Sequence, residues 1–154
     1  MALTPYDRKI SDIFKKDGSY DIDFYQREYK WNKDAVNALL DDIFSKFDEN
    51  YNENIEYSTE NIQKFDWYYL NNFMTNEDRG KTYIVDGQQR TTTISLIISA
   101  LIKQLSEMDK MYFERFYLKE DGHYRITPLS RDKDYFINML EGKVFEPNNK
   151  SQRF

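Results

Sequence analysis

The sequence predicts an α+β fold, a small sheet of short strands and hairpins with helices packed against it. Three observations carry that prediction. Tyr20, Ile22 and Phe24 alternate with Asp21 and Asp23, the period of a strand. Val36, Leu39, Leu40, Ile43, Phe44 and Phe47 recur at spacings of three and four, the period of an amphipathic helix. After Gly87 the pattern turns into a dense apolar run from Ile94 to Leu105, which predicts a helix buried on nearly all sides.

The chain of 154 residues is 40% hydrophobic and 32% charged, enough for one sizeable core and too apolar for a disordered polymer. The run Ile94–Ile102 is interrupted by Ser95, Ser99 and Ala100 and falls short of the roughly 20 residues of a membrane span. No signal-peptide pattern opens the chain, and a cytoplasmic protein with no membrane partner is expected. Without cysteine there is no disulfide, thiol nucleophile or thiolate-ligated metal. His123 is the one histidine, which disfavours a Ser-His-Asp triad and removes paired-histidine metal sites. The net charge of −5 is uneven: +1 over residues 1–33, −9 over 34–78 and +3 over 79–154. A chain without basic excess should bind DNA weakly through nonspecific contacts.

In chain order, Ser11 is expected to cap a one-turn helix through Ile13 and Phe14, and Asp17-Gly18 to turn the chain into the first strand. Tyr25-Gln26-Arg27-Glu28-Tyr29-Lys30-Trp31 reads as a polar-aromatic loop. Asn32 is a good N-cap for the following helix, with Trp31 positioned to staple onto Val36. Residues 48–66 read as an acidic loop with a short helix near Thr59–Phe65. Residues 67–85 read as a β-hairpin, with strands Trp67–Met74 and Thr82–Val85 about a turn at Asn76–Gly80. The buried helix is expected to start near Thr91. Phe113–Leu118 and Tyr124–Thr127 read as a second hairpin, and Ser130 as the cap of a last helix that ends at Gly142. Residues 1–143 are expected to form the domain. Residues 144–154 are expected to be an irregular tail, the start of a missing C-terminal region.

Two segments hold the candidate chemistry. Asp86-Gly87-Gln88-Gln89-Arg90-Thr91-Thr92-Thr93 joins an apolar strand to a buried helix, and a helix start is where backbone N–H groups and the helix dipole favour an anion. Arg90 adds a forked cation suited to phosphate oxygens. Gln88 and Gln89 can orient a water or a base edge, the threonine hydroxyls can cap amides or contact an anion, and Asp86 either holds magnesium through water or fixes the turn. The plainer reading is a capped helix, which leaves Gln88, Gln89 and Arg90 unexplained. In the second segment Arg27, Lys30 and three aromatics can stack a base and grip phosphate. The plainer alternative there is an aromatic lid over the core. Arg125 and Arg131 are further phosphate candidates, more simply read as salt-bridge partners, and His123 reads as a solvated loop residue.

Together, Phe24–Trp31 and Ile84–Thr93, with the D-G-Q-Q-R motif at their heart, resemble the N-terminal domain of GmrSD-type restriction endonucleases. The Arg125–Pro128 and Asp132–Gly142 stretches extend the resemblance over nearly the whole chain. The chain departs from the family pattern at Asp23, where proline is common, at Thr91, where leucine is usual, and at Asn71, where glycine is frequent. The resemblance implies a ParB/sulfiredoxin-like fold with a small mixed sheet. It also implies a nucleoside triphosphate, with magnesium, at Asp86, Gly87, Gln88, Gln89, Arg90, Thr91 and Thr92. Gln26 and Arg27 would close that site, and Tyr25, Arg27, Lys30 and Trp31 would touch DNA. In whole members the domain is coupled to a His-Asn-His-type nuclease, on the same chain or as a partner subunit, that cuts modified foreign DNA.

Hydrolysis would draw on Arg90 and Arg27 for charge stabilisation and on Gln88 or Gln89 to position water. Two other readings compete. One is a DNA-binding module that senses a modified base without nucleotide turnover. The other is a docking domain whose acidic surface meets a basic partner.

Overall fold

The computed structural model describes residues 8–15, 19–23, 28–56, 58–128 and 133–143. The chain divides into two compact units. The first comprises residues 1–29 and 73–153, and the second is essentially the insert 30–72.

The first unit is α+β. Its sheet has four strands: β1 (Tyr20–Ile22), β2 (Met74–Asp78), β3 (Lys81–Asp86) and β6 (Ile126–Pro128), in the order β2-β3-β1-β6. β1 pairs in parallel with β3 on one side and β6 on the other, Tyr20 lying opposite both Thr82 and Ile126. β2 and β3 form an antiparallel hairpin at the edge. A strand flanked on both sides has little room for a solvated face. Accordingly, Asp21 is buried rather than exposed as its alternation suggests, and Lys81 Nζ lies 3.4 Å from its carboxylate.

The hairpin differs from the expected one. Trp67–Phe73 takes no strand, and the polar residues Asn76–Asp78 are paired strand rather than turn. The turn is Arg79-Gly80, both at positive φ (48° and 75°), the two-residue geometry that matches strand twist. A second two-residue turn, Asp121-Gly122 (φ 47° and 82°), joins the short strands β4 (Lys119–Glu120) and β5 (His123–Tyr124). The segment before it is helical, not strand: α5 (Glu107–Phe113) runs into a π-helical stretch, Glu114–Leu118. Tyr112 on Phe116 and Phe113 on Tyr117 stack one turn apart, a pairing that an extended backbone cannot make.

Helix α1 (Ile10–Lys15) buries Ile13 and Phe14. It begins before Ser11, and Asp12 accepts a hydrogen bond from Lys9 N at 3.1 Å, so Ser11 is not its cap. Helices α4 (Gln88–Ile102) and α6 (Lys133–Glu141) pack together around Ile102, Leu118, Phe136 and Leu140. Gly142, at φ 74°, ends α6 with Lys143 N bonded to Asn138 O and Gly142 N to Met139 O. Side chains at the end of α4 add two more bonds there: Ser99 Oγ donates to Leu140 O at 2.6 Å, and Lys103 Nζ, at the C-cap, donates to Met139 O at 3.2 Å. The turn at Asp17-Gly18, the cap at Ser130, Arg131 and the tail 144–154 lie outside the described residues.

The second unit holds α2 (Lys33–Asn50) and α3 (Thr59–Ile62). Asn32 caps α2 as expected, its Oδ1 accepting from Ala35 N at 3.0 Å. Leu39 is the buried residue of the α2 stripe, whereas Phe44 stays 57% exposed. Phe47 stacks on Tyr51 and meets Phe65 edge-on. Asn71 sits at φ 77°, which explains why glycine suits that position and why asparagine, the side chain most tolerant of it, can replace it. No helix among the described residues is long and apolar enough to cross a membrane.

Replacing Asn32 by alanine removes the acceptor for Ala35 N. It should cost about 1 kcal/mol, read as a lower urea midpoint with an unchanged denaturant slope.

Candidate functional site

β1, β3 and β6 are parallel, so their carboxyl ends, at Ile22, Asp86 and Pro128, share one edge of the sheet. Ligands of parallel sheets are bound at such an edge. At this edge β3 passes into α4 through one residue. Gly87 has φ 89° and ψ 2°, a left-handed conformation that lets Gln88 begin the helix at once. Thus α4 starts three residues earlier than Thr91, and Gln88, Gln89 and Arg90 are its first turn rather than a loop before it. Backbone N–H groups of a first turn point out of the helix end, with the positive end of the dipole behind them.

The burial of α4 is the reverse of what its apolar run suggests. Its polar start is enclosed: Gln88, Gln89, Thr91, Thr92, Thr93 and Ser95 are all buried, whereas Leu101 is 60% exposed. The hydroxyls repay this by bonding back one turn. Thr91 Oγ1 donates to Gly87 O, Thr93 Oγ1 to Gln89 O and Ser95 Oγ to Thr91 O, each at 2.9 Å. These threonines therefore serve the backbone, while Arg90 is half-buried and Asp86 exposed at the helix entrance.

The second candidate segment meets this helix through residues that the sequence did not single out. Gln89 Nε2 donates to Glu28 O at 3.2 Å, and Tyr29 OH lies 2.7 Å from Thr93 Oγ1. The Thr93 hydroxyl has one proton, which goes to Gln89 O. Tyr29 is therefore the donor in its own contact. Burial raises the Tyr29 pKa above its ordinary value, so the phenol keeps its proton at neutral pH. Tyr29 and Glu28 stand 64 and 61 residues from their partners, and only their place beside the Gln-Arg pair hinted at a role.

Tyr25, Gln26 and Arg27 lie outside the described residues. Lys30, exposed, and Trp31, half-buried, begin the second unit. Arg125 is buried and paired with Glu120 at 3.2 Å, a salt-bridge partner as the plainer reading had it, though not at the surface. His123 is exposed on β5. Among the described residues no group of three or more histidine, aspartate or glutamate side chains is placed to hold a metal ion.

These elements define a small α+β domain with a glycine-turned helix start at the carboxyl ends of parallel strands. Residues 10–154 match the family described as GmrSD restriction endonuclease, N-terminal domain, and the chain belongs to that family. It is thus a domain of a restriction system, a defence against phage. No curated protein matches the chain.

Gly87→Ala would place a Cβ at φ 89°. The substitution should cost roughly 1–2 kcal/mol, seen as a fall of several degrees in the thermal midpoint.

Proposed function

We propose that the Asp86–Arg90 turn binds a nucleoside triphosphate with magnesium, and that this binding regulates the restriction system to which the domain belongs. The observation that carries the reading is the Gly87 conformation. It delivers the first turn of α4, with Arg90 in it, to the edge where three parallel strands end. The helix start and Arg90 hold phosphate oxygens. Asp86 holds the cation, which neutralises phosphate charge when bound. Thr91 and Thr92 act through the backbone they stiffen.

Binding rather than fast turnover is the function that these residues support. Gln89, a candidate to position water, spends its amide on Glu28 O, and no described residue at the turn is a general base. Arg27, Gln26 and Tyr25 complete the site or contact DNA in the whole enzyme, whose nuclease region cuts modified DNA.

The test is thermal stability with a panel of triphosphates and magnesium. At about 100 times its dissociation constant the right nucleotide should stabilise by roughly 2.7 kcal/mol. Arg90→Ala should erase that shift in a protein that still unfolds in a single cooperative transition. A panel with no shift, or an unchanged shift in Arg90→Ala, overturns the reading.

A further inference from the structure

Tyr29 is the last residue of the first unit before the insert 30–72. Its side chain is half-buried and tied to the helix that carries Arg90. The tie is a closed ring. Tyr29 OH donates to Thr93 Oγ1, Thr93 Oγ1 donates to Gln89 O, and Gln89 returns through its side-chain amide to Glu28 O. Every link is a hydrogen bond of 3.2 Å or shorter, and Thr93 and Gln89 are both buried. The ring fixes the backbone at residues 28–29 to the first two turns of α4, with Gln89 adjacent in sequence to Arg90.

We propose that Tyr29, with Thr93 and Gln89, is a positioning residue of the nucleotide site. It locks residues 28–29 onto α4 beside Arg90, so that nucleotide affinity depends on a phenol hydroxyl that touches no phosphate. This rests on the nucleotide reading above and gives Gln89 a different part in it, as the link between segment and helix rather than a residue that orients water. The phenol's raised pKa keeps the donor intact across the neutral range.

Five proteins test this: the wild-type chain, Tyr29→Phe, Thr93→Val, Thr93→Ser and the double variant of Tyr29→Phe with Thr93→Val. Two readouts are taken at a temperature where all five are folded. The first, without nucleotide, is the rate of trypsin cleavage after Arg27 and Lys30. The second is the affinity for the triphosphate that shifts the wild type most. Tyr29→Phe removes one hydrogen bond of the ring and should speed cleavage and weaken binding about three- to tenfold. Thr93→Val removes two, those to Tyr29 OH and to Gln89 O, and should do so at least as much. The double variant should lose no more than Thr93→Val alone, since that change already removes the bond to Tyr29. Thr93→Ser keeps the hydroxyl and should retain wild-type affinity.

Unchanged cleavage in Tyr29→Phe would overturn the lock. Faster cleavage with unchanged affinity would overturn the positioning role and leave the ring as a structural contact. A wild type that binds no triphosphate would overturn the nucleotide reading and, with it, the positioning role. Cleavage rates would still show whether the ring holds the segment.

Discussion

β1 is three residues long, and the architecture of the first unit depends on it. Tyr20, Asp21 and Ile22 form the parallel ladder that joins β3 to β6, strands separated in the chain by α4, α5 and the β4–β5 turn. Parallel pairing on both sides does two things at once. It buries the strand, which encloses Tyr20 at 2% exposure and forces Asp21 into company with Lys81. It also sets the directions of β3 and β6, so that the chain leaves all three strands at the same edge. The Asp86–Arg90 turn is at that edge because β3 is parallel to β1. An antiparallel β3 would have put the glycine and the arginine at the opposite end of the sheet.

The polar start of α4 follows from the same placement. α4 starts one residue after β3, and its first turns are buried although their side chains are polar. Threonine and serine resolve the conflict by satisfying their own hydroxyls on carbonyls one turn back, at some cost in helix propensity. The apolar half of the helix then serves α6, where Ile102 joins the core and Ser99 and Lys103 satisfy the carbonyls of the α6 end.

Local chemistry was legible in the sequence and non-local pairing was not. The Asn32 cap, the Gly142 stop and the glycine turn into α4 are written within a few residues of where they act. β2 was hidden because an edge strand exposed along its whole length carries no alternation to read. Phe113–Leu118 misled for the opposite reason, since aromatic content suits strands, yet here the rings stack at one-turn spacing. The start of α4 was misplaced by three residues because Gln-Gln-Arg resembles a loop tip until Gly87 is known to be left-handed. No periodicity could have announced the Tyr29–Thr93 contact, which joins residues that only the fold brings together.

The insert 30–72 completes the logic of the first unit. It joins β1 to β2, strands of opposite direction, so the chain leaves and re-enters the sheet at the same end, and lengthening such a connection costs little, about 0.6 kcal/mol for each doubling of a flexible loop. What an insert threatens is the geometry of its two attachment points, and here both are anchored by aromatic side chains on the unit they leave. Tyr29, before the insert, is bonded to Thr93 on α4. Phe73, after it, meets the buried Tyr20 of β1 edge-on at 5.6 Å. The helix of the site and the central strand of the sheet are thus the two elements that hold the ends of the insert. A change at the start of α4 acts on the same hydrogen-bonded ring that fixes residues 28 and 29, the last of the first unit before the insert.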